Sequence, residues 1–385
     1  MDKSIELIKP YPGEDENSFA KRKAYEIRFL RPRLNYCLEG LNLKLNNLKS
    51  LSNSDREEID AFWARYMTPI QRENLIDYQS YEVYNKLLHE GERLCDYMPD
   101  IFYGVFIDDY YGNPQHSKPV DDKNLYDLLF HDINRPRVIF RKMYDMLLDG
   151  DYKDITMDEA IAKASEYDEV ILKLGRFSGC GEGIIFWNSK TDDVEMIRNL
   201  VQHPKDVICQ AIIKQHSELN RLNSTSVNSL RIMTLDLHGE IYVLSSVLRM
   251  GMNGARVDNA SSGCIICGIK PNGQLKEVAY DKSASKYLCH PQGTAFESVT
   301  IPNYDKCISI VIELAKRCCS ISRLISWDLA IDENGTPMLI EFNVCYGELD
   351  FHQLCNGPIF GDLTEDVLRD VFSNSYTLKS ILKSM

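Results

Sequence analysis

The sequence has no apolar run long enough to cross a bilayer. A membrane-spanning helix needs about 20 consecutive apolar residues, so we expect no membrane span. The first residues, MDKSIELIKPYPGEDENS, contain neither a charged segment followed by an apolar one nor a lipidation signal. These absences favour a cytoplasmic protein.

Positive charge is also scarce. The chain of 385 residues has 44 Lys and Arg against 57 Asp and Glu, a net charge of −13. Proteins that bind nucleic acid need a basic surface to neutralise phosphates, so we expect no nucleic-acid partner. An acidic protein that handles a smaller phosphate compound must concentrate its few cations at one place.

The cysteines do not form a framework. Twelve are scattered through a long chain, as is usual for reduced thiols. Cys264 and Cys267 are spaced as CxxC, but no second pair stands at the spacing of a zinc site. The sequence therefore favours neither zinc nor redox chemistry.

The stretch ISWDLAIDENGTPMLIEFN, residues 325–343, reads as a β-hairpin with a polar turn. If Ile331 lies opposite Met338, Asp328 lies opposite Glu341, and alternation places Asn343 on the face of Glu341. Two carboxylates that close repel each other unless a cation joins them, and oxygen ligands favour Mg²⁺. The alternative is an edge hairpin with its acids in solvent.

Earlier segments carry lysines and glycines. Lys123 stands at a helix start, and Lys173 lies inside the predicted strand Glu169–Leu174. A glycine-rich loop follows and leads into a strand at Ile184, so its backbone N–H groups could wrap phosphate oxygens. It is not a Walker A loop, since no GK[ST] follows, and it is not a Rossmann fingerprint, since no helix follows.

Three arginines come from adjacent predicted strands or their loops: Arg231, Arg249 and Arg256. Guanidinium groups suit phosphate or carboxylate, although any one of these arginines could simply be exposed. A further strand, Val207–Ile213, ends in a polar linker. Elsewhere we predict helices over most of residues 1–100, with a capping box at Ser54–Glu57, and a strand over Ile101–Ile107.

The order of these features resembles the ATP-grasp superfamily. The segments NSTSVNSLRIMTL and LRMGMNGARVDNASSGCIICGI, at residues 223–235 and 248–269, are most similar to the sugar-transfer associated ATP-grasp family, which is related to carboxylate–amine ligases. The resemblance covers about residues 50–365. It implies an α/β (α+β) fold in which two α+β subdomains grip ATP, preceded by a helical N-terminal region. The division would be 1–100 helical region, 101–150 linker or first subdomain, 151–215 lid subdomain and 216–385 catalytic subdomain.

The resemblance also implies roles for single residues. Lys123 and Lys173 would contact ATP phosphates, with Lys173 also catalytic, and Glu218 would contact the ribose. Arg249 would stabilise the transferring phosphoryl group or the tetrahedral intermediate, and Arg231 and Asn259 would contact phosphate or the acyl acceptor. Asp328, Glu341 and Asn343 would bind two Mg²⁺, with Glu341 bridging and Mn²⁺ able to substitute. The lid would contain Gly179, Cys180, Gly181 and Gly183, and the hinge against adenine would contain Gln210, Ala211, Ile212 and Ile213. The chain departs from relatives at Gln210, which is often acidic, and at Cys180, which is often glycine.

The implied activity is a Mg-ATP-dependent ligase that joins a small-molecule carboxylate to an amine through an acyl phosphate. The substrates could be sugar-linked and serve the modification of cell-surface polysaccharide or amino sugars. Two alternatives remain open: a phosphotransferase on the same fold, and a nucleotide-binding protein that has lost catalysis. The sequence does not indicate an oligomeric state.

Overall fold

The computed structural model describes residues 7–88, 91–176, 183–259 and 263–385. Its N-terminal part is helical well beyond residue 100. The α-helices of this part are α1 Glu16–Tyr25, α2 Arg31–Leu43, α3 Asn53–Trp63, α4 Pro69–Leu75, α5 Tyr78–Asn85, α6 Asp100–Phe102, α7 Asp108–Gly112, α8 Pro114–Ser117 and α9 Tyr126–Leu129.

The predicted strand Ile101–Ile107 is wrong. These residues form one continuous helical stretch, in which a π-helical segment, Tyr103–Ile107, joins α6 to α7. All seven are buried. A short apolar run fits a buried strand and a fully buried helix equally well, and here the surrounding N-terminal helices supply the apolar contacts.

The predicted capping box is shifted by two residues. Ser52 is the N-cap of α3, and its hydroxyl accepts the N–H of Asp55 at 3.1 Å. The Asp55 carboxylate in turn accepts the N–H of Ser52 at 2.8 Å. Aspartate performs the returning contact that the prediction gave to a glutamate, so the helix starts at Asn53.

A five-stranded antiparallel sheet follows, with strands in the order β2-β1-β5-β3-β4. Helices α10 (Met157–Ser165) and α11 (Glu195–Gln202) contribute apolar side chains to its core. Side chains of β3 alternate between buried and half-buried, as period-2 geometry requires. The strands are β1 Val138–Met143, β2 Met146–Asp149, β3 Glu169–Leu174, β4 Ile185–Asn188 and β5 Val207–Ala211.

A seven-stranded antiparallel sheet, in the order β10-β9-β8-β7-β6-β11-β12, forms the rest of the framework. Its two faces belong to two separate cores, one shared with α13 and one with the N-terminal and C-terminal helices. The strands are β6 Ser229–Leu237, β7 Glu240–Met250, β8 Ile265–Ile269, β9 Leu275–Tyr280, β10 Lys286–Tyr287, β11 Leu324–Ile331 and β12 Pro337–Asn343. The remaining helices are α12 Ser217–Asn220, α13 Tyr304–Cys318, α14 Leu349–Asn356, α15 Thr364–Asn374 and α16 Tyr376–Lys383.

The predicted hairpin is β11–β12. Asp328 lies opposite Glu341, as predicted, but Ile331 lies opposite Pro337 instead of Met338. A β-bulge between Asp328 and Leu329 shifts the register by one residue. The pair of carboxylates therefore lies on one side of the bulge, and the residues nearer the turn pair in the shifted register.

In the described part of the chain, no helix is long and apolar enough to cross a membrane. The cysteines in that part carry free thiols, as predicted. Burial raises the pKa of both Cys264 and Cys267 to about 12, and the Cys267 thiol donates to the carbonyl of Lys276 at 3.3 Å. Neither thiol is therefore poised as a thiolate.

Candidate active site

A cleft of about 980 Å³ is lined by residues of both sheets and of the loops between them. Most of the predicted site residues meet there. Those that line the cleft are Lys123, Lys173, Gln210, Ala211, Ile212, Ile213, Arg231, Arg249, Asn259, Asp328, Glu341 and Asn343.

Other predicted residues are not brought to the cleft wall. Glu218 does not line it, and its carboxylate pairs with Arg221 at 2.6 Å on the surface. Gly183 does not line it either. Gly179, Cys180 and Gly181 lie outside the described residues.

Lys123 and Glu341 form an ion pair across the cleft. The Lys123 ammonium lies 2.7 Å from Glu341 Oε1. Its backbone N–H donates to the carbonyl of Gly175 at 2.9 Å, just after β3. Asp122 caps the short helix that starts at Lys123 by accepting the N–H of Asn124 at 2.9 Å. Lys123 is thus fixed between the smaller sheet and the hairpin.

Lys173 lies on β3 and faces the same cleft. No carboxylate lies within ion-pair distance of its ammonium among the described residues. Burial lowers the pKa of Lys173 to about 8; Glu341 opposes this shift, and the neighbouring Lys123 adds to it. Even a half-buried ammonium without a close anion is costly, so this position suits an anionic ligand.

Two arginines hold Asp328. Arg231 on β6 donates to both of its carboxylate oxygens, at 2.8 and 2.7 Å. Arg249 on β7 donates to Oδ2 at 3.0 Å and to the Ser229 hydroxyl at 2.9 Å. Burial by itself would raise the pKa of Asp328, but the two guanidinium groups outweigh burial and hold it below its usual value. Asp328 is therefore ionised at neutral pH.

The oxygen donors at the hairpin fit a hard cation in type. Asp328, Glu341 and Asn343 all line the cleft, but Asp328 already receives three N–H bonds from the arginines. Among the described residues, no group of three or more His, Cys, Asp and Glu side chains could hold a metal ion. Mg²⁺ commonly binds through one or two carboxylates plus substrate phosphates and water. The donor set agrees with that mode and not with a closed protein cage.

The predicted hinge lies where β5 runs into the linker. Gln215 is buried there, and its side-chain amide donates to the carbonyls of Asn223 and Ser226 at 2.8 and 2.9 Å. The N–H of His216 donates to the carbonyl of Ile331 at 3.0 Å. These contacts attach the linker to the hairpin turn. Apolar side chains of Ile171, Phe186 and Ile340 line the cleft as well, which suits a flat aromatic ring.

Four acidic residues of the cleft were missed by sequence reasoning: Asp121, Asp258, Glu333 and Glu348. Burial raises the pKa of Asp121 to about 6; Lys123 opposes the shift and Glu341 adds to it. Asp258 accepts the N–H of Ser229 at 3.0 Å, and Glu348 accepts from Arg231. Asp121 and Asp258 each lie within two residues of a predicted site residue, which is the only sequence signal for them.

Arg256 binds the smaller sheet and does not join the other arginines. Its guanidinium forms two bonds to the Glu169 carboxylate of β3, at 2.7 and 2.5 Å. It also lies over the ring of Phe186 on β4, 3.8 Å from the centroid. The loop after β7 is thereby connected to the smaller sheet at the edge of the cleft.

Comparison with known proteins adds the following. A search of curated proteins finds no match. Similar solved structures include D-alanyl-alanine synthetase A from Vibrio cholerae O1 biovar eltor, with 14% identity, coverage of 69% of this chain and 67% of that one, and a TM-score of 0.40. The biotin carboxylase domain of the Hydrogenobacter thermophilus 2-oxoglutarate carboxylase, solved with MgADP, has 17% identity, coverage of 66% and 46%, and a TM-score of 0.39. D-cycloserine synthetase DcsG has 13% identity, coverage of 64% and 70%, and a TM-score of 0.39.

The family model described as "Sugar-transfer associated ATP-grasp" matches residues 106–367, more than half of the chain. This match begins within the helical stretch before the first sheet and ends in α15. It confirms the predicted family and, with it, the predicted mixed α and β fold. It also agrees with the prediction of an ATP-grasp enzyme. The chain belongs to the sugar-transfer associated ATP-grasp family.

Proposed function

We propose that the chain is a Mg-ATP-dependent ligase that joins a carboxylate to an amine. The observation that carries the proposal is the cleft itself. In a protein with a net charge of −13, three lysines and three arginines line this single cavity and equal its six carboxylates in number. A nucleoside triphosphate needs such a concentration of positive charge.

In this proposal Lys123 and Lys173 bind the phosphates of ATP, and the linker from Gln210 to Ile213 contacts the adenine. Glu341 and Asn343 hold Mg²⁺, with Asp328 beside them. Bound Mg²⁺ supplies charge neutralisation on the phosphate oxygens. We extend the proposal to two ions bridged by Glu341, on the basis of the family alone.

The chemistry has two steps. A carboxylate oxygen of the substrate attacks the γ-phosphorus and ADP leaves, so an acyl phosphate forms. The amine nitrogen then attacks the acyl carbon, the bond from carbon to the phosphate oxygen breaks, and the amine loses a proton. Arg231 and Arg249 face the cleft near Asp328, where they can stabilise the negative charge that develops in either step. Water must be excluded, because it would hydrolyse the acyl phosphate.

The description of the family supports a finer proposal: sugar-linked substrates, in a cytoplasmic step of polysaccharide modification. A screen of ADP release against amino acids and nucleotide sugars, read by mass spectrometry, tests the function. We expect ADP and phosphate in equal amounts and an amide, only when both substrates are present. A phosphorylated end product would instead indicate a phosphotransferase.

The lowered pKa of Lys173 predicts a pH dependence of ATP binding. With a pKa of about 8, the ammonium is mostly protonated at pH 7 and mostly neutral at pH 9. Because only the protonated form attracts phosphate, the affinity for Mg-ATP should fall by up to about tenfold over this range. Titration calorimetry at both values measures the change.

Lys173→Arg is the matched variant for this test, since a guanidinium stays charged at both values. Its affinity should vary much less between pH 7 and pH 9. If the wild type and Lys173→Arg show the same pH dependence, Lys173 does not contact the phosphates.

A further inference from the structure

A second cavity, of about 370 Å³, meets the ATP cleft. Tyr36, Tyr346 and Glu348 line both cavities and therefore mark their junction. The second cavity lies between α2, the helical stretch Asp100–Asp108 and the start of α14. The N-terminal helical region, whose described residues contribute only Pro32 and Tyr36 of α2 to the lining of the ATP cleft, forms much of the wall of the second cavity.

The junction is held in place by contacts from the N-terminal region. The rings of Tyr36 and Tyr346 meet edge to face, with centroids 5.3 Å apart. Asp108 accepts the N–H of Tyr346 at 3.3 Å, and the same carboxylate pairs with buried Arg33 at 3.0 Å.

Backbone strain marks the same place. Tyr346 and Glu348 both have positive φ, 59° and 60°, a conformation that is unfavourable for residues other than glycine. The strain turns the chain so that the Glu348 carboxylate reaches Arg231 in the ATP cleft. Glu348 is thereby held at the boundary between the reacting groups and the second cavity.

Away from the junction, the second cavity has a negatively charged wall. Asp100 and Asp350 line it, and the fully buried Lys44 lies between them, 3.8 Å from Asp100 and 2.7 Å from Asp350. The Lys44 ammonium is thus the cationic partner of both carboxylates. The charged residues of the whole lining are Glu39, Asp100, Asp108, Glu348 and Asp350 against Arg33 and Lys282. The excess of negative charge favours a cationic occupant.

We propose that the second cavity binds the amine substrate, and that this substrate carries a second positive charge at its far end, as diamines and basic amino acids do. The reacting amine lies at the junction, beside Glu348, and the second charge lies against Asp350 and Asp100. The identity of the reacting amine rests on the proposed ligase function; the cation site does not.

The raised pKa of Asp100 makes the proposed cation site sensitive to pH. Burial raises the pKa of Asp100 to about 7; Lys44 opposes the shift, and Asp350 and Asp77 add to it. Tyr84 donates a hydrogen bond to the same carboxylate, and the cations that line the cavity are Arg33 and Lys282. Because a bound cation prefers ionised Asp100, affinity should rise by up to about tenfold from pH 6 to pH 8.

The test uses 1,5-diaminopentane, with pentylamine and pentane-1,5-diol as matched probes, in a buffer free of amines. Binding to the whole protein is measured by titration calorimetry without ATP. We expect the diamine to bind at least tenfold more tightly than pentylamine, and the diol not to bind. Equal affinity for the diamine and pentylamine would overturn the proposal.

Two variants locate the binding. Asp350→Asn removes one carboxylate while Lys44 keeps Asp100 and the carbonyl of Gly40, 3.2 Å away, as partners. Gly40→Leu fills the cavity instead: a Cβ there meets only the Lys44 ammonium within 4 Å, at 3.7 Å. Each variant should lower the affinity for the diamine at least tenfold and leave the affinity for Mg-ATP unchanged. Unchanged diamine binding in both variants would refute the site.

A third variant separates this proposal from the ligase function. Lys173→Ala should lose Mg-ATP affinity and keep diamine affinity. Loss of diamine affinity in Lys173→Ala would place the amine in the ATP cleft and contradict the second cavity. If instead the diamine binds as proposed and Mg-ATP does not bind the wild type, the cation site stands and the ligase function fails.

Discussion

Replacing Glu341 by glutamine is expected to lower the Mg-dependent turnover of ATP by about 10²- to 10³-fold, the usual loss when one preorganised electrostatic partner is removed. The amide keeps the size of the side chain and can still accept a hydrogen bond from Lys123, which lies 2.7 Å from the carboxylate. What it loses is the charge that would hold Mg²⁺. Steady-state ADP release at increasing Mg²⁺ concentrations measures the effect.

Glu333→Gln is the matched control for this substitution. Glu333 also lines the cleft, but it is exposed on the turn between β11 and β12. The turnover of the Glu333→Gln variant and its dependence on Mg²⁺ should equal those of the wild type. If Glu341→Gln behaves like Glu333→Gln, the hairpin does not bind the metal.

The second large effect concerns stability. Arg231→Met should destabilise the fold by about 3–5 kcal/mol, because it leaves a buried carboxylate with an incomplete set of partners. Arg231 and Asp328 are both almost completely buried and share two hydrogen bonds. The free energy of unfolding from urea denaturation measures the loss.

A double variant tests whether the pair is the cause. The double variant Arg231→Met/Asp328→Leu removes both charges. Its loss of unfolding free energy should therefore be smaller than the sum of the losses in the two single variants. The exposed pair of Arg317 and Asp132, also joined by two hydrogen bonds, is the matched control, and Arg317→Met should cost far less. Strict additivity of the two buried substitutions would contradict the assigned contact.

The hairpin shows what the sequence can predict and where its information ends. Turn residues and alternation predict the pairing of Asp328 with Glu341, which the structure confirms. They do not predict the bulge beside Asp328, since an extra residue in one strand is set by packing against the rest of the sheet. Nor do they predict that Asp328 is held by two arginines, because those contacts join residues about 80 and 100 positions apart in sequence.

The other differences between the expectations and the structure have equally physical reasons. Residues 101–107 lack any polar alternation, so their burial on all sides of a helix could not be distinguished from a buried strand. The contact of Glu218 with the ribose, which the family resemblance implies, stays a prediction; in the structure its carboxylate pairs with Arg221 one helical turn away. Glu348 depends on an unusual backbone conformation that no local pattern indicates.

The predicted division of the chain at residues 101, 151 and 216 stays a prediction. In the structure, β1 and β2 pair with the strands that follow residue 151 in one sheet. The helical stretch in turn extends past residue 101 into α7. Limited proteolysis would show which connections are accessible.

Titration calorimetry of ATP with and without Mg²⁺ shows whether the cleft is a Mg-ATP site. The wild type and Lys163→Ala, a variant of an exposed lysine on α10, should bind Mg-ATP equally. Charge-assisted hydrogen bonds contribute about 1.5–3 kcal/mol each, so the double variant Lys123→Ala/Lys173→Ala should bind at least about 100-fold more weakly. Equal binding by all three proteins, or no binding by the wild type, would show that the cleft is not a Mg-ATP site held by these lysines.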